Sequence, residues 1–258
     1  MRLPDGPAGR ALPAGLLLLL VLAGCASQAE RPGKVANRES SADLRRNLGL
    51  AEGYLAKGEL DKAVEWTEKA IALDPAAAEP RALRALVYER AGDSDKAGKE
   101  FERALRLAPT DGNILNAHGA WLCEHGQHDA ADRAFARALA DSGYSMPHQA
   151  LANAGKCALS AGRLAAAEDY LRRALVFAPT DAGLLYLLAD VELRQGKAFE
   201  ARAFIQRRDA LGADRKTLDL AARIEDAAGD AQAAARYRAR LRDQFPEHEP
   251  TGEGAPSP

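Results

Sequence analysis

Three cysteines and five histidines are the side chains of widest chemical reach in this 258-residue chain, and their spacing sorts them. Cys25 follows Leu22-Ala23-Gly24 at the end of an apolar run that begins at Ala14 and is preceded by Arg2 and Arg10. That is the layout of a secretory signal. About ten apolar residues reach only about 15 Å as a helix, half a hydrocarbon core, so the run is too short to span a membrane. Cys123, His125 and His128 are the one metal-like run, but Gly126 breaks the helix between the two histidines. Their spacing therefore does not set them on one face, and they read as polar turn residues with no metal expected. Gly-x-Ser-x-Gly, a phosphate-cradling glycine loop with a following lysine, and His-Glu-x-x-His are all missing from the sequence. The expectation is a protein that is not an enzyme, with no cofactor and no small-molecule substrate.

A cysteine placed directly after Leu-Ala-Gly resembles the signal of bacterial lipoproteins. That resemblance implies a signal peptide over 1–24, with Cys25 lipidated (palmitate and related acyl chains) as the first mature residue. Several long acyl chains anchor a protein far more durably than one does. Ala26 stands where inner-membrane retention typically uses aspartate, which by the same resemblance points to the periplasmic face of the outer membrane. An ordinary cleaved signal without lipid is the other reading of the segment.

The elements that must carry any binding surface show themselves as a repeat. Gly58, Gly92 and Gly126 are 34 residues apart, as are Pro75 and Pro109, Tyr54 and Tyr88, Ala63, Ala97 and Ala131, and Ala70, Ala104 and Ala138. That period is the length of a tetratricopeptide unit, a helix-turn-helix with small residues where its helices cross. Units run 44–77, 78–111 and 112–145; a fourth opens at His148, two residues having entered around Gly143 to Pro147, and a fifth and sixth follow around Gly196 and Gly229. Within a unit, apolar residues such as Leu44, Leu48 and Leu55 recur at helical spacing, one stripe per helix. A lone hairpin leaves such stripes uncovered, so neighbours must stack. The expected fold is all-α: a tetratricopeptide repeat solenoid, a right-handed superhelix of about six repeats. Arg84 falls where the pattern prefers leucine and reads as a surface position or a side chain lying over Leu83.

Composition agrees and narrows the partners. The chain is rich in Ala, Leu, Arg and Glu with few aromatics, a helical composition. Its formal net charge of −2 argues against nucleic acid. The Glu-Arg and Asp-Arg runs read as solvated helix faces. Residues 25–43, polar and containing Pro32 and Gly33, read as anchor and flexible linker, 44–246 as the repeat domain, and 247–258 as a disordered tail.

In tetratricopeptide arrays the first helix of each pair lines the concave groove. Here that places Asn113 and Asn116 in the third unit, Asn153 and Lys156 in the fourth, and Tyr186 and Asp190 in the fifth. Asparagine is a mediocre helix former, so three of them on adjacent first helices call for hydrogen bonds, either to a partner or to neighbouring turns of the solenoid.

Two segments, Asn116-Ala-His-Gly-Ala-Trp-Leu-Cys123 and Asn153-Ala-Gly-Lys-Cys157-Ala, resemble the third and fourth repeats of the PilF/PilW family of type IV pilus biogenesis lipoproteins. The resemblance implies a pilotin, an outer-membrane lipoprotein that helps the pilus secretin localise and form multimers through protein-protein binding. Partner-binding residues are then expected among Asn113, Asn116, Trp121, Asn153, Lys156 and Tyr186. The alternative client is the β-barrel assembly machinery or a peptidoglycan hydrolase, served by the same scaffold. Cys123 and Cys157 fall in the first helices of consecutive units, and an exported compartment permits a disulfide between them. Two buried reduced thiols are the alternative.

Overall fold

The computed structural model describes residues 32–246, with side chains from Ser40 onward. The signal segment, Cys25 and the tail 247–258 lie outside the described residues. The chain divides into two units, Met1–Ser40 and Ser41–Pro258. The second holds the repeat hairpins; of the first, the described residues are the opening turns of a helix that starts at Pro32.

Among the described residues there are twelve α-helices and no strand, and no helix is long and apolar enough to cross a membrane. They form six consecutive hairpins: α1 (Pro32–Lys57) with α2 (Leu60–Leu73), α3 (Glu79–Arg90) with α4 (Ser94–Leu107), and α5 (Gly112–Glu124) with α6 (His128–Ala140). Then come α7 (Pro147–Ser160) with α8 (Leu164–Phe177), α9 (Ala182–Arg194) with α10 (Ala198–Asp209), and α11 (Arg215–Ala227) with α12 (Ala231–Gln244). This is the tetratricopeptide solenoid. First helices of neighbouring hairpins also touch one another, α3 with α5, α5 with α7, α7 with α9 and α9 with α11, which gives the stack one continuous first-helix face.

Every hairpin turn is made the same way. Gly58, Gly92, Gly126, Gly162, Gly196 and Gly229 all sit at φ between +71° and +81°, a left-handed conformation that only glycine adopts without penalty. The alanines spaced by the repeat are the crossing points: Ala63, Ala97, Ala131, Ala167, Ala201 and Ala234 are all fully buried. One repeat apart, Phe101, Phe135, Leu171 and Ile205 fill the interior between them. Five helices open on an aspartate whose carboxylate accepts backbone N–H groups, Asp93, Asp111, Asp181, Asp214 and Asp230.

Three expectations need correction. The flexible linker expected over 25–43 is already helix from Pro32, because proline starts a helix well and each residue added to the anchored turns beyond Leu44 costs little. Arg84 is not a surface residue: its side chain is only 13% exposed and pairs at 2.9 Å with buried Glu100, which also takes Arg103 at 2.5 Å. The charge runs are likewise not all solvated. Glu100, Glu192 and Glu225 are buried on inter-helix faces, because long arginine stems cover apolar surface while their heads reach in to pair. The two residues added before α7 are accommodated locally. Tyr144 folds inward over Gly112, where a Cβ would lie 2.6 Å from the tyrosine Cβ, and Asp141 accepts the Gly112 N–H at 2.9 Å.

Candidate functional site

Two hollows open along the first-helix face. The first, about 540 Å³, has an apolar floor that includes Leu83 and Leu86 of α3 and Ile114 of α5, closed toward α7 by Met146. Its rim carries Glu52, Glu79 and Asp111 and no basic residue. Burial, followed by repulsion from Glu52 and Asp111, holds the Glu79 carboxyl above the usual carboxylate range. Leu86 is 38% exposed. Apolar floor and acidic rim together suit a segment that offers aliphatic or aromatic side chains flanked by lysine or arginine.

The second hollow, about 500 Å³, lies between α5 and α7 and is lined by Cys123, Glu124, His128, Asn153, Lys156 and Cys157 among others. Cys123 and Cys157 are joined as a disulfide with their Cα atoms 5.7 Å apart. Close backbone approach makes the site possible. A Cβ on Gly119 would lie 2.8 Å from Phe135, and one on Gly155 would lie 2.6 Å from Leu171. Both helices therefore sink onto their partners and bring their cysteines level.

The residues expected to bind a partner separate into three groups. Asn113 and Asn116 line the first hollow, Asn153 and Lys156 the second. Asn153 donates through Nδ2 to Asn116 Oδ1 at 3.1 Å, so the two asparagines satisfy one another across the α5–α7 seam between the hollows. Trp121 lines neither. Its indole N–H donates to Glu89 at 2.8 Å, and its ring packs against Gly98, Phe101 and His118, where it seals the second repeat against the third. Tyr186 also lines neither hollow and is half-buried on α9, its hydroxyl pKa raised by burial and then by Asp190.

Sequence reasoning missed Glu52, Glu79 and Leu86, although the signal was present. Glu79, Asn113 and Gln149 are repeat equivalents, as are Glu52, Leu86, Ala120 and Lys156, once the 34- and 36-residue steps are applied, and all seven line one hollow or the other. The break at Gly126 between His125 and His128 argues from sequence against a shared face. The turn at Gly126 is what returns His128, whose Nδ1 lies 3.9 Å from Cys123 Sγ and 3.6 Å from Cys157 Sγ. His125 turns the other way, 3.2 Å from Glu89.

The tetratricopeptide repeat family matches residues 48–112 and 122–182. The type IV pilus assembly protein PilF of Pseudomonas aeruginosa is 25% identical over 233 residues, 89% of this chain and 92% of the relative. The crystal structure of PilW, a widely conserved type IV pilus biogenesis factor, is 29% identical, has a TM-score of 0.73, and matches 80% of this chain and 95% of its own. The structure of Pseudomonas aeruginosa PilF, 23% identical with a TM-score of 0.73 over 81% and 95% of the two chains, shares the fold.

Proposed function

Since the chain is homologous to the PilF and PilW type IV pilus tetratricopeptide proteins, we propose that it is a pilotin of that system: an outer-membrane lipoprotein that binds the pilus secretin. The fold is a protein-interaction scaffold, and the observation that carries the reading is the acid-rimmed apolar hollow formed by α1, α3, α5 and the start of α7. A secretin segment with apolar anchors and basic flanks would seat there, its membrane-seeking surface covered until assembly. Acyl chains on Cys25 would supply the address. Holding the client beside a bilayer raises its effective concentration for multimer formation without any new contact.

The test uses the membrane-extracted full chain. A Glu79→Lys, Leu86→Asp double variant should stay in the membrane fraction with an unchanged circular dichroism spectrum yet fail to co-purify the secretin. Cys25→Ser should still bind secretin but leave the outer membrane, with secretin multimers lost there. Full secretin capture by the double variant would overturn the groove assignment. Capture of barrel-assembly or peptidoglycan-hydrolase components in place of secretin by the native protein would overturn the pilotin reading.

A further inference from the structure

The hollow between α5 and α7 contains more than a structural bridge. His128, the first residue of α6, points Nδ1 at both sulfurs, 3.6 Å from Cys157 and 3.9 Å from Cys123. These three side chains are the one group of potential metal donors found together among the described residues. Zinc bonds of about 2.3 Å to sulfur and about 2.0 Å to nitrogen, arranged tetrahedrally, require sulfur-to-nitrogen separations of about 3.6 Å. Two sides of the donor triangle thus already have nearly the length a zinc site needs. The third, sulfur to sulfur, is closed by the covalent bond of the disulfide.

We infer that reduction of the Cys123–Cys157 disulfide converts this hollow into a zinc(II) site with Cys123, Cys157 and His128 as its three protein ligands. A dithiol reductant gives up two electrons and two protons and becomes a disulfide, leaving two protein thiols. Zinc(II) then displaces both thiol protons and takes the neutral imidazole nitrogen. Two thiolates cancel the charge of the ion, so the half-enclosed site stays neutral, which matters beside a cysteine as buried as Cys157. Borderline-soft nitrogen and sulfur donors select zinc over calcium or magnesium. The three ligands come from three successive helices and share one open hollow, which gives the ion its entry path and leaves the fourth coordination position free. Ion and disulfide are alternative clasps across the same α5–α7 seam, one for the reduced chain and one for the oxidised.

The inference is independent of the secretin reading and is tested without it. In full chain carrying Cys25→Ser, the two remaining cysteines are reduced with a phosphine, confirmed free by thiol titration, and titrated with cobalt(II) as a spectroscopic probe. One equivalent should produce thiolate-to-cobalt charge transfer and the strong visible bands of tetrahedral cobalt, both abolished by adding zinc. Oxidised protein should give neither. His128→Ala should weaken cobalt binding by about tenfold or more; if its oxidised form melts early, His128→Gln replaces it. Absence of the bands from fully reduced protein would overturn the site, as would binding of equal strength in a folded His128 variant.

Discussion

Between α5 and α8, neighbouring repeats meet through a disulfide and an asparagine pair, with the Arg163–Asp129 ion pair beside them, and one glycine in each hairpin lets its two helices close. Between α8 and α12 they meet through arginine and lysine with carboxylate: Arg172 and Lys197 with Glu192 and Glu168, Arg202 with Glu225, Arg240 with Asp209. The first stretch is where the repeat gains its two extra residues, so the regular period no longer fixes how one hairpin lands on the next. Short-range devices help fix it there: a covalent bridge and a direct asparagine pair between α5 and α7 tolerate little sliding. The second stretch keeps its period to within one residue, and long paired side chains span each join while their stems cover the core. Irregularity in the repeat is matched by rigid chemistry, and regularity leaves room for adaptable chemistry.

The contrast is most exposed to the loss of the bridge. A Cys123→Ser, Cys157→Ser double variant releases a loop of 35 residues, worth about 4 kcal/mol in chain entropy as an upper figure. Equilibrium urea unfolding of oxidised native protein against the variant measures it, and equal midpoints would erase the difference between the two regions. Next in size, Gly155→Ala sets a methyl 2.6 Å from the buried Leu171 side chain, an overpacking cost of about 1–3 kcal/mol. A variant as stable as the native protein in the same assay would show that α7 and α8 can separate freely.

On the charged side, Glu168 has its pKa lowered to about 2, chiefly by its hydrogen bond to Lys197 and then by Arg172 and Gln195. A depressed carboxylate contributes stability above its unfolded pKa of about 4.5 and loses it as pH falls toward 2. Thermal melts should therefore drop between those values in the native protein and drop less in Glu168→Gln. Parallel curves for the two proteins would remove the pair from the account. The smallest effect belongs to Arg240→Ala, which breaks a two-pronged contact to Asp209 at 2.7 and 2.8 Å. With Arg240 about 41% exposed, about 0.5–1 kcal/mol is expected, shrinking in high salt.

Much of the architecture was legible along the chain. Gly58 and its repeat partners announced the turns, the buried alanines announced the crossings, and their constant step announced how many hairpins to expect. Arithmetic of the same kind, carried back one repeat from Asn113 and two from Lys156, reaches Glu79 and Leu86. Trp121 lies away from both hollows for a local reason: its helix belongs to the first-helix face, but its ring packs backward onto α4. Its role depends on a neighbour 23 residues earlier, Gly98, having no side chain.

The repeat, its phase and its turns can be read along the chain, because each is set by contacts within one unit or with the next and recurs wherever the residues recur. Which polar groups meet follows from packing. Arg84 meets Glu100, and His128 meets Cys123, where the two helices of a hairpin close; Asn116 meets Asn153, and His128 meets Cys157, where one hairpin stacks on the next, across gaps of 37 and 29 residues. Helical periodicity assigns a residue to a face of its own helix. The depth and rotation at which that face meets the next helix depend on how far glycine and alanine let the backbones close, and that is settled only when the helices pack.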